Sequence, residues 1–197
     1  VIKRTIDGRE VRYIERMKPL NFGEIENAFF VDCGLTYSGA AATTISGLWH
    51  LEGETVSILA DGAVEPDQEV INGAVTLETA ASVVHIGKSY NTDIRTLPLA
   101  NANAAAGGQG STKNISKLYI RVNDTSVVQA GPTFSRLREY PARSVEDPYD
   151  SPPSLISTVL EISIEPNWVM GAPISIRQSL PLPLTVVSIA AEFQSGG

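Results

Sequence analysis

The chain has 197 residues, enough for one or two domains, and 43% of them are hydrophobic, enough for a sizeable core. Its formal net charge is −7. A sequence-independent grip on DNA needs clustered Lys and Arg, so this acidic balance argues against a nucleic-acid clamp. The same balance suits a surface past which DNA moves without sticking, because like charges repel.

The single cysteine, Cys33, excludes a disulfide within the chain, so the fold must depend on its core. We expect Cys33 to fill apolar space rather than to react, because no base lies near it in the sequence. No apolar run reaches the ~18 residues of a membrane span, and no signal peptide opens the chain. The chain starts on a strand-like run without an initiator Met, as we expect of a domain taken from a longer protein.

Turn dipeptides divide the first half of the chain into short strands. Asp7-Gly8 separates the strand-like runs Val1–Ile6 and Arg9–Met17, and it predicts a hairpin. Between Gly47 and Pro98, the dipeptides Asp61-Gly62 and Asn72-Gly73 predict further tight turns. The candidate strands of this segment are Thr55–Ala60, Glu69–Ile71, Ala74–Leu77, Ser82–Ile86 and Thr92–Leu97. We therefore predict an inserted small β-barrel over residues 47–98, since closure leaves no exposed edge.

The residues on both sides of this segment, 1–46 and 99–197, predict a discontinuous host domain resembling a β-sandwich. Ile115–Asn123 and Leu155–Glu165 alternate apolar and polar side chains with a period of two, which is typical of half-buried strands. Two more strand candidates are Pro173–Gln178 and Leu182–Glu192, whereas loops or edges are predicted at Ser38–Ser46 and Phe134–Pro153. No 11-residue stretch keeps helical spacing, so the predicted class is all-β: an antiparallel sandwich or barrel with an inserted small barrel.

The residues that carry chemistry form no catalytic set. Gly87-Lys88-Ser89 looks like the end of a phosphate-binding loop, but Ser82 stands where that loop needs a glycine. His50 and His85 are the only histidines, too few with one cysteine for a zinc site without carboxylates. No Gly-x-Ser-x-Gly nucleophile elbow occurs in the sequence. We therefore predict no catalytic residue, no metal site, no cofactor and no enzymatic activity.

Glu52 and Glu54 lie two residues apart, so on a strand they share one face. Such a pair can suit a cation or acid–base chemistry, but it is far more often a solvated edge near a turn.

Three aromatic residues form the candidate interaction surface: Trp49, Trp168 and Tyr149. Each tryptophan lies beside a predicted turn, where an exposed ring stacks on sugars or anchors a partner. The alternative for each tryptophan is a lid over one end of the core.

Five blocks of sequence, in order, resemble one family: VIKRTIDGREVRYIERM, FVDCGLTYSG, GLWHLEGETVSILADG, SVVHIGKSYNTDIRTLPL and IRQSLPLPLTVVSI. They resemble the C-terminal part of the tail tube or nozzle proteins of short-tailed and related bacteriophages. The middle segment is similar to the β fold called a first-catalytic-cysteine half-domain (FCCH) in ubiquitin-activating enzymes. Cys33 lies outside that segment, and nothing in the chain resembles a ubiquitin-transfer site.

The resemblance implies a structural component of the virion tail, assembled in the host cytoplasm as a ring around the channel for DNA ejection. Its implied partners are copies of itself, tail proteins on the adaptor or portal side, and fibres. Genomic DNA passes transiently, without specific binding. A second hypothesis is a receptor- or glycan-binding module at the tail tip. A third, a cell-wall hydrolase, needs two carboxylates facing each other across a cleft, of which the sequence gives no sign.

Overall fold

The computed structural model describes residues 1–100, 110–141, 143, 147–148 and 151–196. Within these ranges every regular element is a β-strand, apart from two short 3-10 helices, Ile25–Asn27 and Trp49–Leu51. All strand pairings are antiparallel. The predicted all-β class is therefore confirmed. No helix in the described ranges is both long and apolar enough to cross a membrane.

The chain divides into two compact units. The first unit comprises Val1–Tyr90, Pro148–Pro152 and Ser179–Leu182. The second unit comprises Asn91–Asp147, Pro153–Gln178 and Pro183–Gly197.

The first unit consists of a hairpin and a four-stranded sheet. The hairpin is formed by β1 (Ile2–Ile6) and β2 (Arg9–Tyr13). The sheet contains β3 (Asp32–Ser46), β4 (Thr55–Ala60), β5 (Ala63–Glu69) and β6 (Ala74–Lys88), in the spatial order β3-β6-β4-β5. One hydrophobic core serves both parts, because Ile6 of the hairpin is buried in the same cluster as Leu51, Ile58 and Val84.

Three two-residue turns of the first unit have positive φ at both central residues. These φ values are 47° and 70° at Asp7-Gly8, 45° and 83° at Asp61-Gly62, and 54° and 67° at Asn72-Gly73. This is the signature of type I′ turns, whose twist matches that of paired strands. The flanking residues pair as the dipeptides predicted: Ile6 with Arg9, Ala60 with Ala63, and Ile71 with Ala74.

The two units differ from the division predicted at residues 47–98. β3 lies before that segment, yet it pairs along β6 from Asp32–Lys88 to Ser46–Ala74. Thr92–Arg95 lies inside the segment, yet it pairs with Ser175–Gln178 in the second unit. The described strands of the segment form part of an open sheet, and no closed barrel is detected in the described chain. The difference arises because strand pairing is non-local, whereas turn dipeptides report only on adjacent strands.

The second unit contains two four-stranded sheets. The first has the order β10-β9-β13-β7, formed by β7 (Thr92–Arg95), β9 (Val128–Thr133), β10 (Arg136–Tyr140) and β13 (Ser175–Gln178). In the second sheet, β8 (Thr112–Val122) pairs with β11 (Val159–Ser163), β12 (Trp168–Met170) and β14 (Val186–Ser195). Buried residues of both sheets, such as Leu118, Ile162 and Ile176, belong to one core cluster, as in a β-sandwich.

Alternation along β8 and β11 places side chains as the sequence predicted. Leu160 and Ile162 are buried, whereas Glu161 and Ser163 between and beyond them are exposed. The predicted long loop over Phe134–Pro153 is wrong in part, because β10 lies within it. β10 is an edge strand with charged and half-exposed side chains, so it lacks the apolar signal of an inner strand.

Ile162→Ala tests the sandwich core. Ile162 is 4% exposed, so the free energy of unfolding should fall by about 2–5 kcal/mol through cavity formation. Ser163→Ala, one residue further along the same strand and exposed, is the matched control and should change it by less than about 0.5 kcal/mol. Urea denaturation of both variants measures the difference. Equal losses in the two variants would show that the face carrying Ile162 is not the buried one.

Candidate interaction surface

Trp49 lies on the second 3-10 helix and covers the Asn72-Gly73 turn. A Cβ atom added to Gly73 would lie 2.5 Å from Cδ2 of the Trp49 ring, so only glycine fits under the indole. The ring nevertheless remains 69% exposed. Trp49 therefore combines both expectations: it covers part of the fold, and it presents a large apolar surface to a partner.

Trp168 begins β12 in the second unit, where it pairs with Asn114 and is 53% exposed. The predicted interaction surface thus draws Trp49 from one unit and Trp168 from the other. Tyr149, its third member, lies outside the described residues. The grouping of these three aromatic residues stays a prediction.

Glu52 and Glu54 act on separate turns rather than as a catalytic pair. The Glu52 carboxylate accepts hydrogen bonds from the backbone N–H groups of Asn72 (2.8 Å) and Gly73 (2.6 Å). Glu54 accepts from the Asp7 N–H (3.2 Å) and pairs with Lys88 Nζ (2.5 Å), which lowers the pKa of Glu54. Both carboxylates therefore stabilise type I′ turns.

Gly87 and Lys88 serve a close contact between two strands rather than a phosphate-binding site. A Cβ atom at Gly87 would lie 2.7 Å from the Asp32 carbonyl oxygen, where β3 and β6 approach each other at an irregularity in their pairing. The ammonium group of Lys88 forms an ion pair with Glu54, as described above. The tight contact explains why a glycine precedes this lysine without any nucleotide role.

Arg4 of β1 binds two carboxylates that the sequence did not connect with it. Its guanidinium lies 2.5 Å (Nε–Oε1) from Glu15 and 2.7 Å (Nη1–Oδ2) from Asp32, and each contact is doubled by a second hydrogen bond. Hydrogen bonding to Arg4 lowers the pKa of both carboxyl groups, and their contacts raise the pKa of Arg4. The cluster fastens the hairpin to the start of β3, over separations of 11 and 28 residues.

Cys33 follows Asp32 in a strained conformation, with φ of 52°. Its side chain is buried, and burial raises the pKa of the thiol to about 11, so the thiol stays protonated at neutral pH. Its carbonyl oxygen accepts a hydrogen bond from His50 Nε2 at 2.9 Å. Cys33 is thus the inert core residue that the sequence predicted, and His50 holds its backbone.

An open groove of about 760 Å³ runs beside this cluster in the first unit. Aromatic and apolar side chains contribute most of its character, among them Tyr13, Met17, Phe29 and Tyr90. Two of its charged lining residues, Glu15 and Asp32, pair with Arg4, whereas Arg16 and Lys18 line the groove without an ion pair among the described residues. The groove therefore offers shape, apolar contact and the positive charge of Arg16 and Lys18.

His85 is a buried histidine with both ring nitrogens satisfied. Nε2 lies 3.0 Å from the Glu26 carbonyl oxygen, which can only accept, so Nε2 carries the proton. Nδ1 then accepts from the Thr36 hydroxyl at 3.0 Å. Burial lowers the pKa of His85, so the ring is held neutral. Within the described ranges, no group of three or more His, Cys, Asp or Glu residues is arranged to hold a metal ion.

Comparison with known proteins gives no match: neither a family model nor a curated protein sequence matches this chain.

Gly73→Ala tests the contact between Trp49 and its turn. Gly8→Ala is the matched control, because Gly8 has a similar φ of 70° but open space around its Cβ position. The control should lose about 1–2 kcal/mol of unfolding free energy through left-handed strain alone. Gly73→Ala should lose about 1–3 kcal/mol more, because the new methyl group meets the Trp49 ring. Adding Trp49→Ala should remove that excess, and equal losses at both glycines would contradict the contact.

His85 should make stability depend on pH. Its pKa is lower when folded than its ordinary value of 6.5, so the unfolded chain binds the proton more readily. The free energy of unfolding should therefore be constant above about pH 7.5 and should fall as the pH drops from about 6.5 towards 5. His85→Gln, which keeps a donor and an acceptor, should flatten this window. Denaturation midpoints at several pH values measure the slope, and identical slopes for both proteins would contradict the buried neutral ring.

Proposed function

We propose that this chain is a structural component of a bacteriophage tail, a nozzle or tube domain that forms part of the channel for DNA ejection. One observation carries the proposal beside the sequence resemblance. The groups that looked capable of chemistry in the sequence serve the fold: Glu52 and Glu54 bind turns, His50 binds a carbonyl group, His85 is held neutral, and Cys33 is buried. A protein whose polar groups are used in this way contributes shape and contact surface.

The acidic charge supports the same proposal. A genome that leaves through a channel must not be gripped at each subunit, and a chain with a net charge of −7 repels the phosphate backbone. Each of the two β units has a hydrophobic core of its own, as we expect of a structural component. No helix in the described residues is both long and apolar enough to span a membrane. Under this proposal the chain resides in the virion tail, with copies of itself and other tail proteins as partners.

A tail-tip module that binds a receptor or glycan is the second candidate function. The exposed rings of Trp49 and Trp168 favour it, because aromatic faces stack on sugars. This function places the chain at the periphery of the tail rather than around its axis.

Electron cryo-microscopy of the virus particle that carries this chain tests the proposal. We expect several copies around the tail axis, with Asp and Glu outnumbering Lys and Arg on any wall that faces the lumen. In solution, the chain should give no mobility shift with duplex DNA at about 0.15 M salt, where the screening length is about 8 Å. A single peripheral copy, or DNA binding that weakens with salt, would transfer the assignment to host recognition.

A further inference from the structure

We propose that the outer surface of the N-terminal hairpin binds the acidic strand β5 of a second copy of this chain. The hairpin surface consists of Arg9, Arg12, Ile14, Arg16 and Met17. The inference deepens the proposed function, on which it rests only for the claim that the copies surround an axis. The contact itself is argued from exposure, charge and chain geometry within the first unit.

Charge is distributed very unevenly along the sequence. The first 20 residues hold six basic and three acidic side chains, whereas the other 177 hold nine basic and 19 acidic ones. A strongly acidic protein thus carries a basic N-terminal segment. Such a segment attracts the rest of another copy, although the copies as wholes repel each other.

The alternation of β2 continues beyond its last paired residue. Val11, Tyr13 and Glu15 are partly buried, whereas Arg12, Ile14 and Arg16 are exposed. Among the described residues, positions 14–20 make no backbone-to-backbone hydrogen bond. The chain here is an extended segment that Glu15 anchors on Arg4, and its exposed side chains Ile14, Arg16 and Met17 border the open groove of the first unit.

Large apolar side chains on this segment are almost fully exposed: Ile14 is 90% and Met17 is 94% accessible. Isolated exposed apolar residues are ordinary, but two within four positions, flanked by arginines, resemble the composition of an interface. Arg9, Arg12 and Arg16 have no carboxylate within ion-pair distance in the described parts of the chain. Lys3 and Arg4 differ from them, because they already pair with Glu10, Glu15 and Asp32.

β5 offers the complementary surface. It carries three carboxylates, Glu65, Asp67 and Glu69, and no basic residue. No other described strand has this composition. It ends the sheet order, so one of its edges is unpaired. Asp67 and Glu69 are exposed without an ion pair among the described residues, although one oxygen of Asp67 accepts a hydrogen bond from the Ser57 hydroxyl at 2.7 Å. Pro66 and the irregular pairing next to it prevent regular strand addition at that edge. The contact is therefore made by side chains, arginine to carboxylate, with Ile14 and Met17 buried between them.

An interface between two different patches of one chain is heterologous. Each copy keeps one free hairpin surface and one free β5, so copies add head to tail and close into a ring when the rotation permits. Opposite charges set the orientation of the encounter, and burial of Ile14 and Met17 contributes to affinity. Duplex DNA is the competing occupant of a basic surface, and the experiment distinguishes the two.

Sedimentation velocity of the 197-residue chain, at about 50 mM and about 500 mM salt, tests the contact. The wild type should associate at low salt and dissociate at high salt, because screening weakens the charge pairs. Arg12→Glu with Arg16→Glu should raise the dissociation constant about tenfold or more, and so should Asp67→Lys with Glu69→Lys. A mixture of these two double variants should associate again, because their reversed charges are complementary.

Arg95→Glu with Arg121→Glu is the matched control, since both arginines are exposed, lie in the second unit and have no ion pair in the described chain. This control makes the same change in net charge and should leave the dissociation constant unchanged. If circular dichroism shows that Arg12→Glu with Arg16→Glu does not fold, the double variant Ile14→Ser with Met17→Ser replaces it. We expect this variant to raise the dissociation constant by the same factor.

Three results would overturn the inference: a wild type that is monomeric at both salts, hairpin variants that associate like the wild type, or a mixture that stays dissociated. Wild-type binding to duplex DNA that the hairpin variant abolishes would assign the surface to nucleic acid instead. If the chain is monomeric in solution, the contact between copies is ruled out, and the proposed nozzle or tube function is then tested by the position of the chain in the particle. If the chain lies at the periphery of the tail, the nozzle or tube function is ruled out, but an interface measured in solution still stands.

Discussion

Three two-residue turns set the strand register on which the first unit depends. Residues with positive φ at Asp7-Gly8, Asp61-Gly62 and Asn72-Gly73 give each turn the twist that flanking strands need. A slip of one residue would move the buried set of a strand to the opposite face. The Asp61 carboxylate extends this control, because it accepts from the Ser82 and Val83 N–H groups and so fixes the β4 turn against β6.

Carboxylates reinforce all three turns, and this affects the interpretation of the acidic composition. Glu54 contacts the N–H of the first turn, Asp61 belongs to the second, and Glu52 receives two N–H groups of the third. Charged acceptors make such hydrogen bonds shorter and stronger than neutral ones. Some of the acidic residues therefore stabilise the fold of the first unit. Glu52 and Glu54, which resemble a catalytic pair in the sequence, already accept hydrogen bonds from turns. An exposed tryptophan above one of these turns remains available for contact with a partner.

Local chemistry was predictable from the sequence, and long-range pairing was not. The turn dipeptides and the alternation of Leu155–Glu165 depend on near neighbours, so they gave the right hairpins and the right buried face. β5 was missed because Pro66 and three carboxylates hide an edge strand, and the boundary of the units was missed because β3 pairs with β6 across some 40 residues. Arg4 binds Glu15, which lies 11 residues away in the sequence, and Asp32, which lies 28 residues away. No sequence pattern predicts contacts of this kind. Of the candidate interaction surface, the sequence identified Trp49 and Trp168, which are exposed, but not the groove beside Arg4.

Assembly and a non-adhesive channel place opposite demands on one chain. If the proposed function holds, copies with a net charge of −7 must repel DNA and also approach one another closely. Neutralising the whole surface would meet the second demand and fail the first. Confining basic residues to one exposed segment meets both, because a local pair of opposite charges acts within about a Debye length while the remainder stays acidic. The N-terminal hairpin meets this requirement. Arg4 on its inner side pairs with Glu15 and Asp32 and so holds the hairpin in place. The exposed arginines of the hairpin surface are the ones we propose to contact a second copy.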